Sequence, residues 1–139
     1  MPKHGAGKRA AERVPIKWSQ DVAAHDYRAA HDYLSLKVTE VAAQRVVNQL
    51  RAIKPIERRA NDILRAAGMT AAPLEDQGVV KELIKAVEGK ALSPVLVVAG
   101  VGGTEIADGF HRVSFAYRVD PYGVVPLKLV VIDRGAKDV

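Results

Sequence analysis

The residues closest to chemistry are Asp108-Gly109-Phe110-His111-Arg112. A carboxylate, an imidazole and a guanidinium fall within five positions, with a glycine among them. They follow Thr104 to Ala107, which is expected to be a short return strand, and precede the apolar segment Val113 to Tyr117. The pattern predicts a strand, an Asp-Gly junction and a helix of two or three turns over 110–118. Gly109, His111 and Arg112 would then stand at the first helical turn. That end of a helix presents unpaired backbone N–H groups and a partial positive charge, so the three residues form an anion site suited to phosphate. Gly109 lets a ligand approach the backbone closely. Arg112 stays charged and matches phosphate oxygens in bidentate fashion, or it makes a structural salt bridge. His111 adds a hydrogen bond or moves a proton, or is an ordinary surface histidine. Asp108 is open to three roles: base, Mg²⁺ ligand, or N-cap of the helix.

The elements that must position these residues lie on both sides. Pro94 to Ala99 is apolar without alternation, which predicts a central strand covered on both faces. Gly100 to Gly103 reads as a hairpin turn rather than a phosphate loop. Asp120 to Gly123 is turn chemistry, and Pro126 to Ile132 is the last strand. Upstream, Asp76 is expected to cap a helix over 77–88 that buries Val79, Val80, Leu83, Ile84 and Val87 and ends at Gly89. Pro73-Leu74 is expected to form a short strand.

The first half of the chain reads as three helices. The first starts at Gln20 or Asp21, is capped by Ser19 and buries Ala23, Tyr27, Ala30 and Leu34. It contains the repeat Ala-Ala-His-Asp-Tyr, at 23–27 and 29–33. His25 and His31 are about 240° apart around such a helix, so no metal pair is expected and both His-Asp pairs are assigned to a solvated face. The second runs from about Val38 to Ile53, with Ala43, Val46, Val47, Leu50 and Ile53 buried. The third is expected to begin at Pro55, to bury Ile56, Ala60, Ile63, Leu64 and Ala67, and to end at Gly68. Arg45, Arg51, Lys54, Arg58, Arg59 and Arg65 make a helix-turn-helix conceivable, but Glu40, Glu57 and Asp62 offset them and ordinary helical packing is favoured.

The motif resembles that of the ParB/sulfiredoxin-like superfamily, whose members carry Gly-x-x-Arg between a strand and a helix. Free-serine kinases of that fold read Asp-Gly-His-His-Arg, sulfiredoxins Gly-Cys-His-Arg and ParB proteins Gly-Glu-Arg-Arg. Asp108-Gly109-Phe110-His111-Arg112 is nearest the kinase form. The resemblance spans roughly residues 72–133. It implies a small mixed sheet with flanking helices, and a nucleotide or phosphate cradle at Gly109, His111 and Arg112. It also implies a nucleotide (ATP, ADP or CTP) with Mg²⁺ as cofactor, Asp108 as metal ligand or base, and Glu75 as a catalytic carboxylate. Phe110 occupies the place of the sulfiredoxin cysteine, and the chain has no cysteine. Sulfinic acid reduction is therefore excluded.

The 139 residues suit one domain, and hydrophobic and charged contents of 48% and 27% are ordinary for a globular protein. No apolar run is long enough for a membrane span, and no secretory signal is expected. The lack of cysteine fits the cytoplasm. Residues 1–17 hold +4 of the net charge of +5, so any nonspecific nucleic-acid binding would reside there. The expected organisation is α+β: a disordered basic tail over 1–18, a helical part over 19–70, a ParB/sulfiredoxin-like core over 71–134 and a frayed end over 135–139. The expected function is nucleotide or phosphate binding, with Mg-dependent phosphoryl transfer or nucleotide hydrolysis if the site turns over. The alternatives are a DNA-binding accessory protein, using the tail and the Arg-rich helices, and a partner-binding protein with a vestigial pocket.

Overall fold

A computed structural model describes residues 14–100 and 102–132. The fold is α+β. Its elements in chain order are α1 (Ala24–Leu34), α2 (Glu40–Ala52), β1 (Ile56–Arg59), α3 (Ala60–Ala67), α4 (Gln77–Val87), β2 (Val95–Ala99), β3 (Thr104–Asp108), α5 (Phe110–Val119) and β4 (Val124–Val131). The four strands make one mixed sheet in the order β1-β4-β2-β3. β2 pairs with β3 antiparallel through the glycine hairpin, and with β4 in parallel. The parallel pair needs a crossover, and β3 with α5 supplies it.

The apolar run of β2 explains the layering. Leu96 and Val98 pack on one side with Tyr27, Ala30 and Leu34 of α1 and Val46, Val47 and Leu50 of α2. Val95 and Val97 pack on the other with Ile63 and Leu64 of α3 and Val113 and Ala116 of α5. A strand buried on both faces has no polar side to alternate with. A third cluster joins Val79 and Ala86 of α4 to Phe115 of α5 and Leu92, with Val14, Ile16 and Trp18 packed against it. Phe115 is fully buried, and its truncation to Ala is expected to cost about 3–5 kcal/mol.

Several expectations are corrected. Pro55 does not start a helix. Residues 56–59 form β1, whose partners are Val124 to Leu127 of β4, and the third helix begins only at Ala60. All four β1 residues are exposed, so no periodicity marked the strand and tertiary pairing overrode local propensity. With β1 between α2 and α3, the tight two-helix connection of a helix-turn-helix does not exist. The first helix starts at Ala24 rather than near Asp21. Ser19 instead closes a local turn with Asp21, and the N-cap position belongs to Ala23. Pro73-Leu74 is not a strand. On α4 the buried residues are Val79, Glu82 and Ala86, whereas Ile84 and Val87 are exposed. A charged residue sits in that buried stripe, so an apolar-only reading rotated the face.

The expected boundaries also shift. Lys17 and Ser19 bond the backbone of Leu92, around a Trp18–Leu92 bridge. Residues 14–18 therefore belong to the fold, while residues 1–13 of the expected tail lie outside the described residues, as does the expected frayed end over 135–139. The division at residue 70 separates nothing, because β1 completes the sheet. Among the described residues no helix is long and apolar enough to cross a membrane.

Candidate functional site

The motif lies where β3 passes into α5. Across β2, Ile106 pairs with Val97 but Asp108 pairs with Leu96. One extra residue on β3 makes a bulge, which re-aims the strand's last side chain. Gly109 follows as N-cap of α5 in a left-handed conformation, with φ 110°. Its φ favours glycine, and a Cβ there would press on Val95, 3.1 Å from both γ-carbons. No side chain caps α5, which corrects the N-cap role expected of Asp108. The first-turn N–H groups of α5 have no intrahelical acceptor.

Arg112 turns inward. It is 9% exposed and faces three carboxyls on three other elements. Its Nη1 is 3.5 Å from Asp26 Oδ2 on α1, its Nε 4.0 Å from Glu82 Oε1 on α4, and its Nη2 3.9 Å from Asp108 Oδ2 on β3. Nη1 also donates to the carbonyls of Ser93 and Pro94, at 3.1 and 3.5 Å. One guanidinium thus ties α1, α4, β3 and the entry to β2 together from α5. The guanidinium expected to take phosphate in bidentate fashion is therefore turned into the protein, with Nη1 hydrogen-bonded and Nε and Nη2 facing Glu82 and Asp108 at 4.0 and 3.9 Å.

Arg112 is not the only cation at these carboxyls, since the half-exposed Lys85 places Nζ 3.8 Å from Glu82 Oε1. Asp26 Oδ2, Glu82 Oε1 and Asp108 Oδ2 are buried without a hydrogen-bond partner. Burial pushes the Asp108 carboxyl up to about 6, the Asp26 charge and its acceptance of a hydrogen bond push the same way, and Arg112 opposes them. A proton on Asp108 donated to Asp26 satisfies one orphan oxygen on each and removes one negative charge. Burial and Asp26 thus favour the protonated form of Asp108 relative to an ordinary carboxyl.

At the surface edge of this cluster, His111 is half-exposed and its Nε2 lies 3.3 Å from Asp76 Oδ2. Asp76 also accepts the N–H groups of Gly78 and Val79 as the N-cap of α4. Gly78 leaves room for the imidazole: a Cβ there would fall 2.4 Å from the ring. Glu75 is exposed in the turn before α4, and its neighbour Asp76 is the carboxylate that meets the motif. The motif residues thus divide: Arg112 gathers Asp108 with Asp26 and Glu82, and His111 meets Asp76.

Asp26 departs from the solvated face expected of it and is buried. The signal was present, since Asp26, Ala30 and Leu34 form an i, i+4, i+8 row on the apolar side of α1. His25 stays at the surface with Nε2 3.2 Å from Asp26 Oδ1, and Asp32 stays exposed beside His31. Among the described residues no group of three or more His, Asp or Glu side chains is spaced to hold a metal. Between the three carboxyls the guanidinium already occupies the place of a cation, so Asp108 does not fit as a resident Mg²⁺ ligand. Comparison with protein families, with curated proteins and with solved structures finds no match.

Proposed function

We propose that the chain binds a phosphate-bearing ligand, and by its motif a nucleotide, at the open N-terminus of α5. The observation that carries this reading is the left-handed Gly109 at the head of a helix that no side chain caps, flanked by the half-exposed His111. Backbone N–H groups and the helix dipole attract the anion, and His111 adds a donor. Arg112 has a different part from the one the ParB/sulfiredoxin resemblance implies. It is a positioning residue that holds Asp108 and the start of β2. Asp108 is the acid–base group: with its carboxyl raised to about 6, it is suited to accept a proton from an attacking hydroxyl or water. In this reading a divalent ion arrives with the nucleotide and is not held by the protein, and the protein works in the cytoplasm, where nucleotides are held.

A thermal-shift panel of ATP, ADP, CTP and GTP tests the reading. A ligand at 100 times its dissociation constant adds about 2.7 kcal/mol of stability. His111→Ala is expected to weaken the binding several-fold while the free protein melts as before. If no nucleotide raises the melting temperature, the phosphate reading fails. If His111→Ala binds as tightly as the parent, the site is not at α5.

A further inference from the structure

A second cation is buried on β4, and nothing in the α5 site uses it. Lys128 on β4 is 7% exposed. Its Nζ donates to Tyr27 Oη at 2.9 Å and to the Arg51 carbonyl at 3.4 Å, and it lies 5.5 Å from the Tyr27 ring centre. An ammonium has three N–H donors, so two acceptors leave one free. Among the described residues no carboxylate lies within ion-pair distance of Lys128.

Lys128 lines a groove of about 720 Å³. The groove exists because α1 and α2 cover only part of their face of the sheet. α2 stops at Ala52, and the chain then drops into β1, leaving that end open. The cationic wall is Arg51 and Lys54, both exposed, with Arg51 stacked 4.5 Å over the Tyr27 ring. Neither is paired with a carboxylate among the described residues. Trp18, Ile53 and Pro126 supply planar and apolar surface. Asp21 and Glu57 also line the groove, so it carries three positive charges against two negative ones, and the buried one is positive.

We propose that this groove binds a small organic anion, a phosphate or carboxylate on a flat apolar body. The anionic group sits on the free N–H of Lys128 and the body against Trp18. An ammonium lacking a carboxylate is costly to bury, and an anion in the groove supplies the missing partner. Arg51 and Lys54 draw the ligand in and close around its charged end.

Trp18 is the only tryptophan of the chain, so its fluorescence reports on the groove directly. The probes are phenyl phosphate, benzoate, inorganic phosphate and, as the uncharged control, phenol. Phenyl phosphate or benzoate is expected to give a saturable change in emission, inorganic phosphate a weaker one and phenol none. Lys128→Met is expected to weaken the organic anion about 10-fold or more, as for a lost charge-assisted hydrogen bond. Arg51→Ala with Lys54→Ala, both at the exposed rim, is expected to weaken it several-fold, and this pair carries the test if Lys128→Met fails to fold. Lys81→Met, exposed on α4, removes a charge elsewhere and is expected to change nothing. Equal binding of phenol overturns the anion requirement. Unaltered affinity in both the Lys128 and the rim variants overturns the site, as does a flat titration with both organic anions at 10 times the concentration that saturates ordinary weak sites, roughly 10 mM.

Discussion

Two buried cations, Arg112 on α5 and Lys128 on β4, are solvated in opposite ways. Arg112 faces three carboxyls, and Lys128 faces a phenol, a carbonyl and an aromatic ring. Around Arg112 carboxyls outnumber buried cations, and Lys85 beside Glu82 and a proton on Asp108 add compensation. Around Lys128 positive charge is in excess, and a groove open to solvent adjoins it. The difference teaches that burial alone does not say what a charged side chain does. A guanidinium with five rigid donors can bind several elements at once. An ammonium held by two neutral acceptors keeps a donor for something else.

The largest expected effect comes from breaking the arginine side of this contrast. Arg112→Met removes the buried cation shared by Asp26, Glu82 and Asp108, leaving Glu82 with the half-exposed Lys85 alone. Loss of one partner of a buried ionic cluster costs about 3–5 kcal/mol, so the variant is expected to melt far below the parent or to remain unfolded. Denaturant titration measures it. If Arg112→Met folds normally and loses only phosphate affinity, the guanidinium serves ligand and not fold.

Next in size is the pH response of Asp108. Its folded pKa, about 6, lies above the ordinary value of 3.8. Between these values the folded state binds more protons than the unfolded one, so stability falls as pH rises. The contribution is fully present below about pH 4 and is lost as pH passes through about 6. Asp108→Asn removes this slope and keeps a donor toward Asp26. At pH 7 it is expected to stabilise the protein by about 1–2 kcal/mol, allowing for solvent screening of a partly exposed carboxyl. Melting curves from pH 4 to 8 check it, and parallel slopes for parent and variant would remove the shared proton.

Legibility in the sequence follows the same division between local and distant causes. β2, the glycine hairpin, α5 and the Asp76 cap were readable because each rests on neighbours in the chain. Gly109 was placed at the strand–helix junction by pattern alone. β1 was not readable, since its only reason to be a strand is β4 more than 60 residues away. The partners of Arg112 were missed for a related reason. Asp26 and Glu82 lie on helices whose apolar rows were read without the charges embedded in them, and what those charges face is set by tertiary packing. Nothing in the local pattern around Lys128 distinguishes a buried lysine from an exposed one at the third position of Pro-Leu-Lys-Leu-Val.

Lys128→Met sharpens the comparison from the other side. The substitution removes an ammonium without a carboxylate partner and leaves Tyr27 Oη and the Arg51 carbonyl each short of a donor. Relief from burying the charge and loss of two hydrogen bonds are of similar size and opposite sign. The melting free energy is expected to change by less than about 1 kcal/mol, against the several lost at Arg112. A loss as large as that of Arg112→Met would mean that Lys128 is a structural tie of the same kind, and its spare donor would have no ligand to serve.

The smallest effect is expected at Gly78, on the surface edge of the arginine cluster. A Cβ there would meet the His111 ring at 2.4–2.8 Å, closer than packed atoms come. The ring is half-exposed on a rotatable side chain, so it can swing away and α4 need not move. Alanine is also the better helix former, by roughly 0.5–1 kcal/mol in a helix interior and less in a first turn. Gly78→Ala is therefore expected to melt within about 1 kcal/mol of the parent. The contact of His111 with Asp76, 3.3 Å in the parent, is lost all the same, and the imidazole leaves the mouth of α5. Nucleotide affinity should drop several-fold, close to that of His111→Ala, while stability is kept. Comparing the two variants by thermal shift and by affinity separates the possibilities. Equal losses mean that α4 holds the histidine in place for the ligand. Unchanged affinity in Gly78→Ala means that His111 acts from another rotamer, and a large loss of stability means that the α4 backbone yields before the ring does.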